Sequence, residues 1–118
     1  MLNNKEIILG SRNSLLAQTQ TMLVISELKK FGFDNFKINF INSSGDTLKG
    51  NVFKEQGGKG LFTKEIDSLT IKEEIDLGIH SAKDIPGHLH SELKIGAYLK
   101  REDVRDILIT RNHDIKKN

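Results

Sequence analysis

Apolar residues change their spacing several times along the chain, and each change predicts a new element. Residues 6–10 hold the apolar run Ile7, Ile8 and Leu9 closed by Gly10, and Ser11 to Ser14 supply capping side chains before a periodic stretch. This predicts a strand, a turn and a helix. Over 14–31 the residues Leu15, Leu16, Met22, Leu23, Ile25 and Leu28 fall mainly on one helical face, with Gly32 where a C-terminal cap belongs. Residues 36–41 alternate Phe36, Ile38 and Phe40 with Lys37 and Asn39, the period of a half-buried strand. Residues 42–60 are rich in glycine and serine and predict a flexible loop. Leu61, Phe62, Ile66, Leu69 and Ile71 recur at three- and four-residue spacings, so a second helix is expected over 61–74. A short buried strand is expected at 75–80, a loop with the sole proline, Pro86, at 81–87, and two more strands at 93–99 and 106–110.

This order predicts an α/β domain with a mostly parallel sheet and flanking helices. In such domains ligands gather where strands end and helices begin. The loops at 10–14, 42–60 and 81–86 all follow predicted strands and are the places to look for chemistry.

Composition narrows the functional classes. With 118 residues the chain has room for one ordinary domain, and 36% hydrophobic with 29% charged residues is the balance of a folded globular protein. No apolar run approaches a membrane span and the first residues lack the pattern of a signal peptide, so a cytoplasmic location is expected. Basic and acidic residues, 18 against 16, are well mixed, which argues against nucleic-acid binding. The absence of cysteine excludes a disulfide, a thiolate metal site, a cysteine nucleophile and a thioether to a cofactor within this chain.

Three segments could carry chemistry. GSRNS at 10–14 offers Arg12 for a bidentate carboxylate contact and Ser14 as a hydroxyl donor, although Ser14 taken singly also reads as a helix cap. GGKG at 57–60 opens into the second helix, so its amides and Lys59 could hold an anion, while a plain flexible loop accounts for it equally. HSAKDIP at 80–86 is the densest cluster, joining His80, Ser81, Lys83 and Asp84 at one strand end; a solvated Lys83–Asp84 turn and a satisfied core His80 are the alternative. His88, His90 and His113 fit no metal-ligand spacing, and no metal site is expected.

Taken together, GSRNSLLAQTQ, SSGD at 43–46, GGKGLFTKEI at 57–66, DLGIHSAKDIP at 76–86 and KREDVRD at 100–106 resemble the porphobilinogen deaminases, in order and over nearly the whole chain. The family, also called hydroxymethylbilane synthases, joins four porphobilinogen molecules head to tail with loss of ammonia, in tetrapyrrole (heme) biosynthesis. It builds the product on a dipyrromethane cofactor held by a cysteine thioether. The resemblance implies that Asp84 is the catalytic carboxylate, opposing the positive charge of the azafulvene left when ammonia departs. It implies cofactor or substrate contacts for Arg12, Ser14, Lys59, Ser81, Lys83 and Arg101, with Gln20 and Asp46 as weaker candidates. Such contacts suit pyrroles that each bring an acetate and a propionate. Leu15, Ser44, Glu55 and Val104 depart from the family pattern.

The same resemblance implies a fold like the type II periplasmic binding proteins, with residues 1–99 an incomplete domain 1 and 100–118 a hinge and the start of domain 2. The family's cofactor cysteine lies in a third domain, and this chain has none. The expectation is an enzyme fragment that is inactive alone, self-associating where its sheet lacks a returning strand, with a monomeric full-length parent and porphobilinogen as its small-molecule partner. A stand-alone anion-binding lobe without catalysis is the competing reading; it explains the glycines but not Asp84.

Overall fold

The computed structural model describes residues 4–43 and 60–101. They form an α/β unit in the order β1 (Ile7–Arg12), α1 (Leu15–Lys30), β2 (Phe36–Ile41), α2 (Lys64–Ile71), β3 (Leu77–Gly78) and a short 3-10 turn (Ala82–Asp84). All pairings are parallel and the strand order is β2-β1-β3, so β1 is central. Leu9 stands between Ile38 and Leu77, and Gly10 between Asn39 and Gly78. The third strand is shorter than the six residues expected, yet its hydrogen bonding to β1 runs past both ends. The Asp76 amide donates to the Ile8 carbonyl at 2.8 Å and the Ile79 amide to the Gly10 carbonyl at 2.9 Å. The Asp76 carboxylate also accepts from the Ile8 amide at 2.8 Å.

The core is made by Leu9 of the central strand, Ala17 and Ile25 of α1, Ile66 of α2, and Leu61 and Ile75 beside them. Close packing is possible because β1 and β3 carry glycines at the crossing: a Cβ on Gly10 would collide with the Ile75 side chain. On Gly78 it would meet Ile66 Cγ2 at 2.8 Å.

The first helix is placed differently from what its apolar pattern predicts. Its buried positions are Ala17, Thr21 and Ile25, while Leu15 (82% exposed), Leu16 (56%), Met22 (54%) and Leu23 (44%) face outward. Hydrogen bonding and small size account for the choice. Thr21 Oγ1 lies 2.8 Å from both Ser11 Oγ and the Ala17 carbonyl, and Ser11 Oγ is 3.0 Å from the Arg12 carbonyl. A fully buried hydroxyl pair thus fastens α1 to the end of β1, and a small-residue seam brings the backbones close. Both helix ends are built as the sequence implies. Ser14 caps the start, accepting from the Ala17 amide at 3.2 Å. Gly32, at φ 89°, closes the end with its amide on Lys29 and the Phe33 amide on Leu28.

The second helix starts later and ends earlier than 61–74, because Gly60 (φ 68°) makes a tight turn with Thr63 and Lys64. Beyond Ile71 the chain reverses through Glu73, a non-glycine residue at φ 59°. The strand expected at 93–99 is absent: this segment has no ladder partner among the described residues, and Ile95, Tyr98 and Leu99 are exposed. An extended apolar alternation without a neighbouring strand to accept its hydrogen bonds is not a strand. The loop at 44–59 and the strand expected at 106–110 lie outside the described residues. Among the described residues no helix is long and apolar enough to cross a membrane.

Candidate functional site

Parallel strands deliver their C-terminal ends to one edge of the sheet, and there β1 runs into α1 and β3 into the 3-10 turn. A cleft opens between these two junctions. Arg12, Ser14 and Gln20 line it from the β1–α1 side; Ser81, Lys83 and Asp84 line it from the turn. Seven of the residues singled out from sequence, His80 among them, therefore converge on one space. Arg101 is exposed and does not line the cleft, and Lys59 and Asp46 lie outside the described residues.

The charges in the cleft are partly sheltered. Arg12 Nη1 is 3.9 Å from Asp84 Oδ2, with the two side chains 22% and 18% exposed. The Arg12 guanidinium also sits over the Phe62 ring, 4.2 Å from its centroid, a cation–π contact that restrains it. Lys83, next in sequence to Asp84, is exposed at the rim. Ser81 Oγ donates to Gln20 Oε1 at 2.9 Å, tying the turn to α1 across the cleft.

Behind Asp84 lies a second polar contact. His80 Nε2 is 3.3 Å from Asp67 Oδ1 of α2, and the imidazole packs where Gly78 has no side chain, 3.1 Å from the position of a Cβ there. Burial pushes the His80 pKa below its ordinary 6.5, against the opposing charge of Asp67, its hydrogen bond, and the charge of Asp84. The imidazole is therefore neutral at pH 7 and donates Nε2–H to Asp67.

Phe62 and Asp67 were not marked by sequence. Phe62 reads there as one apolar position of a helix face, and Asp67 as one charge on its solvated side; only the tertiary pairings with Arg12 and His80 distinguish them. His88 and His90 are exposed beyond the turn, His113 lies outside the described residues, and no cluster of three or more metal-ligating side chains occurs among the described residues.

Residues 7–118 match the family model described as "Porphobilinogen deaminase, dipyromethane cofactor binding domain". The chain belongs to the porphobilinogen deaminase family. It is 46% identical over 114 residues to the porphobilinogen deaminase of Rickettsia typhi, which covers 96% of this chain and 38% of that protein. The Bacillus velezensis enzyme is 46% identical over 110 residues (92% of this chain, 35% of that protein). That of Exiguobacterium sibiricum is 48% identical over 107 residues (90% and 35%). The chain thus spans a little over a third of the length of the porphobilinogen deaminases it matches.

The family domain matched here binds the dipyrromethane cofactor, and the donor set of the cleft suits such a group. A dipyrromethane presents several carboxylates, and the cleft has a guanidinium at Arg12, an ammonium at Lys83 and hydroxyls at Ser14 and Ser81. A thioether to it requires a thiol that none of the 118 residues supplies.

Proposed function

We propose that this chain is the lobe of a porphobilinogen deaminase that carries the reacting carboxylate and part of the anion-binding surface. The whole protein joins four porphobilinogen molecules into hydroxymethylbilane with loss of ammonia. Residues 1–99 belong on this reading to domain 1 of a fold like the type II periplasmic binding proteins, and 100–118 to the hinge and the start of domain 2. The observation that carries the reading is Asp84, sheltered at the mouth of a cleft whose other polar side chains are cations, hydroxyls, an amide and the imidazole of His80.

Each residue has a distinct task. Arg12, planar and placed over the Phe62 ring, suits a bidentate grip on a pyrrole carboxylate; Lys83 adds a point charge at the rim; Ser14 and Ser81 offer hydroxyls. When bound, the dipyrromethane supplies the carbon on which the product chain grows. Asp84 faces the carbon from which ammonia leaves, opposes the cationic charge that develops there, and accepts and returns a proton at its carboxylate. Arg12, at 3.9 Å, holds that carboxylate in place without a tight bidentate lock. Arg101, exposed outside the cleft, and Lys59, which lies outside the described residues, add further cations to this reading.

Asp84→Asn in the full-length protein tests this. The amide keeps shape and one acceptor oxygen but loses the charge, so turnover should fall by a factor of about a hundred to a thousand. Mass spectrometry should still find the cofactor attached. A near-normal maximal rate would move the chemistry to another residue. The 118 residues alone should produce no hydroxymethylbilane, since they have no thiol on which to hold the cofactor.

A further inference from the structure

The proposed role of Asp84 leaves open what holds the turn that carries it. Asp84 lies in a three-residue 3-10 turn whose internal support is slight: the Asp84 amide donates to the Ser81 carbonyl at 3.0 Å and the Ile85 amide to the Ala82 carbonyl at 3.3 Å. Toward the cleft, Arg12 and the Ser81–Gln20 hydrogen bond restrain it. On the other side the first anchored residue is His80, two positions before Ala82. His80 follows Ile79, whose amide is fixed to the Gly10 carbonyl, and its imidazole is held by the hollow at Gly78 and by Asp67 of α2, whose neighbours Ile66 and Thr70 also meet that hollow.

We propose that Asp67 and His80 form a positioning pair for Asp84: Asp67 fixes the imidazole against α2, and the imidazole fixes the strand end from which the Asp84 turn departs. Asp67 does not line the cleft, and His80, which reaches its wall, acts through the placement of Asp84. The proposal rests on the reading of Asp84 given above.

The charges facing His80 make its protonation a second part of the device. Asp67 faces it from α2 and Asp84 from the turn; Arg12 of β1 stands beyond Asp84, and Lys83 projects to solvent from the same turn. Neutral His80 leaves Asp84 to Arg12 and the cleft. An imidazolium at the same place adds a second cation near Asp84 and weakens its ability to oppose a positive charge in the substrate. Protonation in mild acid therefore lowers the chemical rate before it disturbs binding.

The experiment uses the full-length protein with Asp67→Leu, His80→Leu and His80→Gln. Porphobilinogen consumption is followed from about pH 5 to pH 8, with cofactor loading verified by mass spectrometry. Asp67→Leu, which removes the acceptor oxygen, and His80→Leu should lower kcat about ten- to a hundredfold with KM changed by no more than about twofold. His80→Gln, whose side-chain amide can donate to Asp67, should recover most of the rate at pH 7 and lose the acid limb that His80 contributes. Wild-type kcat in Asp67→Leu, or equal loss in His80→Leu and His80→Gln, would overturn the proposal. Asp67→Leu is nearly isosteric, so it decides the matter even where His80→Leu fails to fold. A wild-type protein that does not consume porphobilinogen would instead overturn the functional reading. The pair is then judged without turnover, by the imidazole NMR titration of His80. That titration should lie below 6.5 and move lower in Asp67→Leu, and an unmoved titration would refute the pairing.

Discussion

At the mouth of the cleft opposite charges approach to 3.9 Å and stop there, so Arg12 restrains Asp84 without engaging it in a short bidentate pair. This spacing suits groups that must exchange partners when a polyanionic ligand arrives. Lys59, one residue before the described Gly60, has the same charge but a different expected task. Lys59→Ala in the full-length protein should raise KM for porphobilinogen more than it lowers kcat, whereas Asp84→Asn does the reverse. Steady-state rates on both variants separate binding from chemistry, and matching profiles would mean that the two residues have been wrongly distinguished. His80 supplies a prediction for stability. Its folded pKa lies below the unfolded 6.5, so between those values the unfolded chain binds more protons. The stability conferred by neutral His80 is complete above 6.5 and is lost as the pH falls through that value toward the folded pKa. Denaturation curves across this range should show a smaller decline for His80→Gln than for wild type, and parallel declines would assign the loss to other groups.

Elements formed where short-range chemistry and long-range pairing agree. Ser14 and Gly32 bound α1 as a cap and a left-handed terminus, and the alternation at 36–41 became β2 with the same limits. Disagreement arose where the decisive contact was distant in sequence. The alternation at 93–99 gained no ladder partner among the described residues. In α1 the largest apolar residues lost the core to Ala17 and Thr21, because the buried Ser11–Thr21 hydroxyl pair and close backbone approach favour the small face. Neither preference is visible in a count of apolar positions. The end of α2 offers a test at this scale. The Glu73 amide reaches Thr70 and the Glu74 amide reaches Leu69, the hydrogen bonding of a glycine-type helix terminus, yet the left-handed residue is glutamate at φ 59°. A side chain there costs about 1 kcal/mol. Glu73→Gly should raise the thermal midpoint by roughly 2 to 8 °C, and an unchanged or lower midpoint would show that the glutamate has a compensating contact.

Across the whole molecule, the strand-end location of the cleft was legible from the βαβαβ order alone, and the motifs named most of the side chains that meet there. Phe62 and Asp67 were not legible, since each acts through a partner on another element. The same distinction applies to the outer face of α1. Leu15, Met22 and Leu23 have the periodicity of a buried stripe and are exposed in the described fold, with Phe31 exposed at the helix end, while Leu16 lines the cleft. Large apolar side chains grouped on one exposed helix face mark a contact face. No described residue covers that face, so it is open to a second copy of this chain. Sedimentation velocity on this chain should therefore show association that grows with concentration from about 1 μM upward. Leu15→Lys combined with Met22→Lys, which place charges about two helical turns apart on the stripe, should shift the chain toward monomer. The buried face of Ala17, Thr21 and Ile25 is untouched by these changes, so the far-ultraviolet circular dichroism should stay as it is. A wild-type chain that remains monomeric throughout, or a double variant that associates as strongly, would mean that the exposed stripe is not the contact surface.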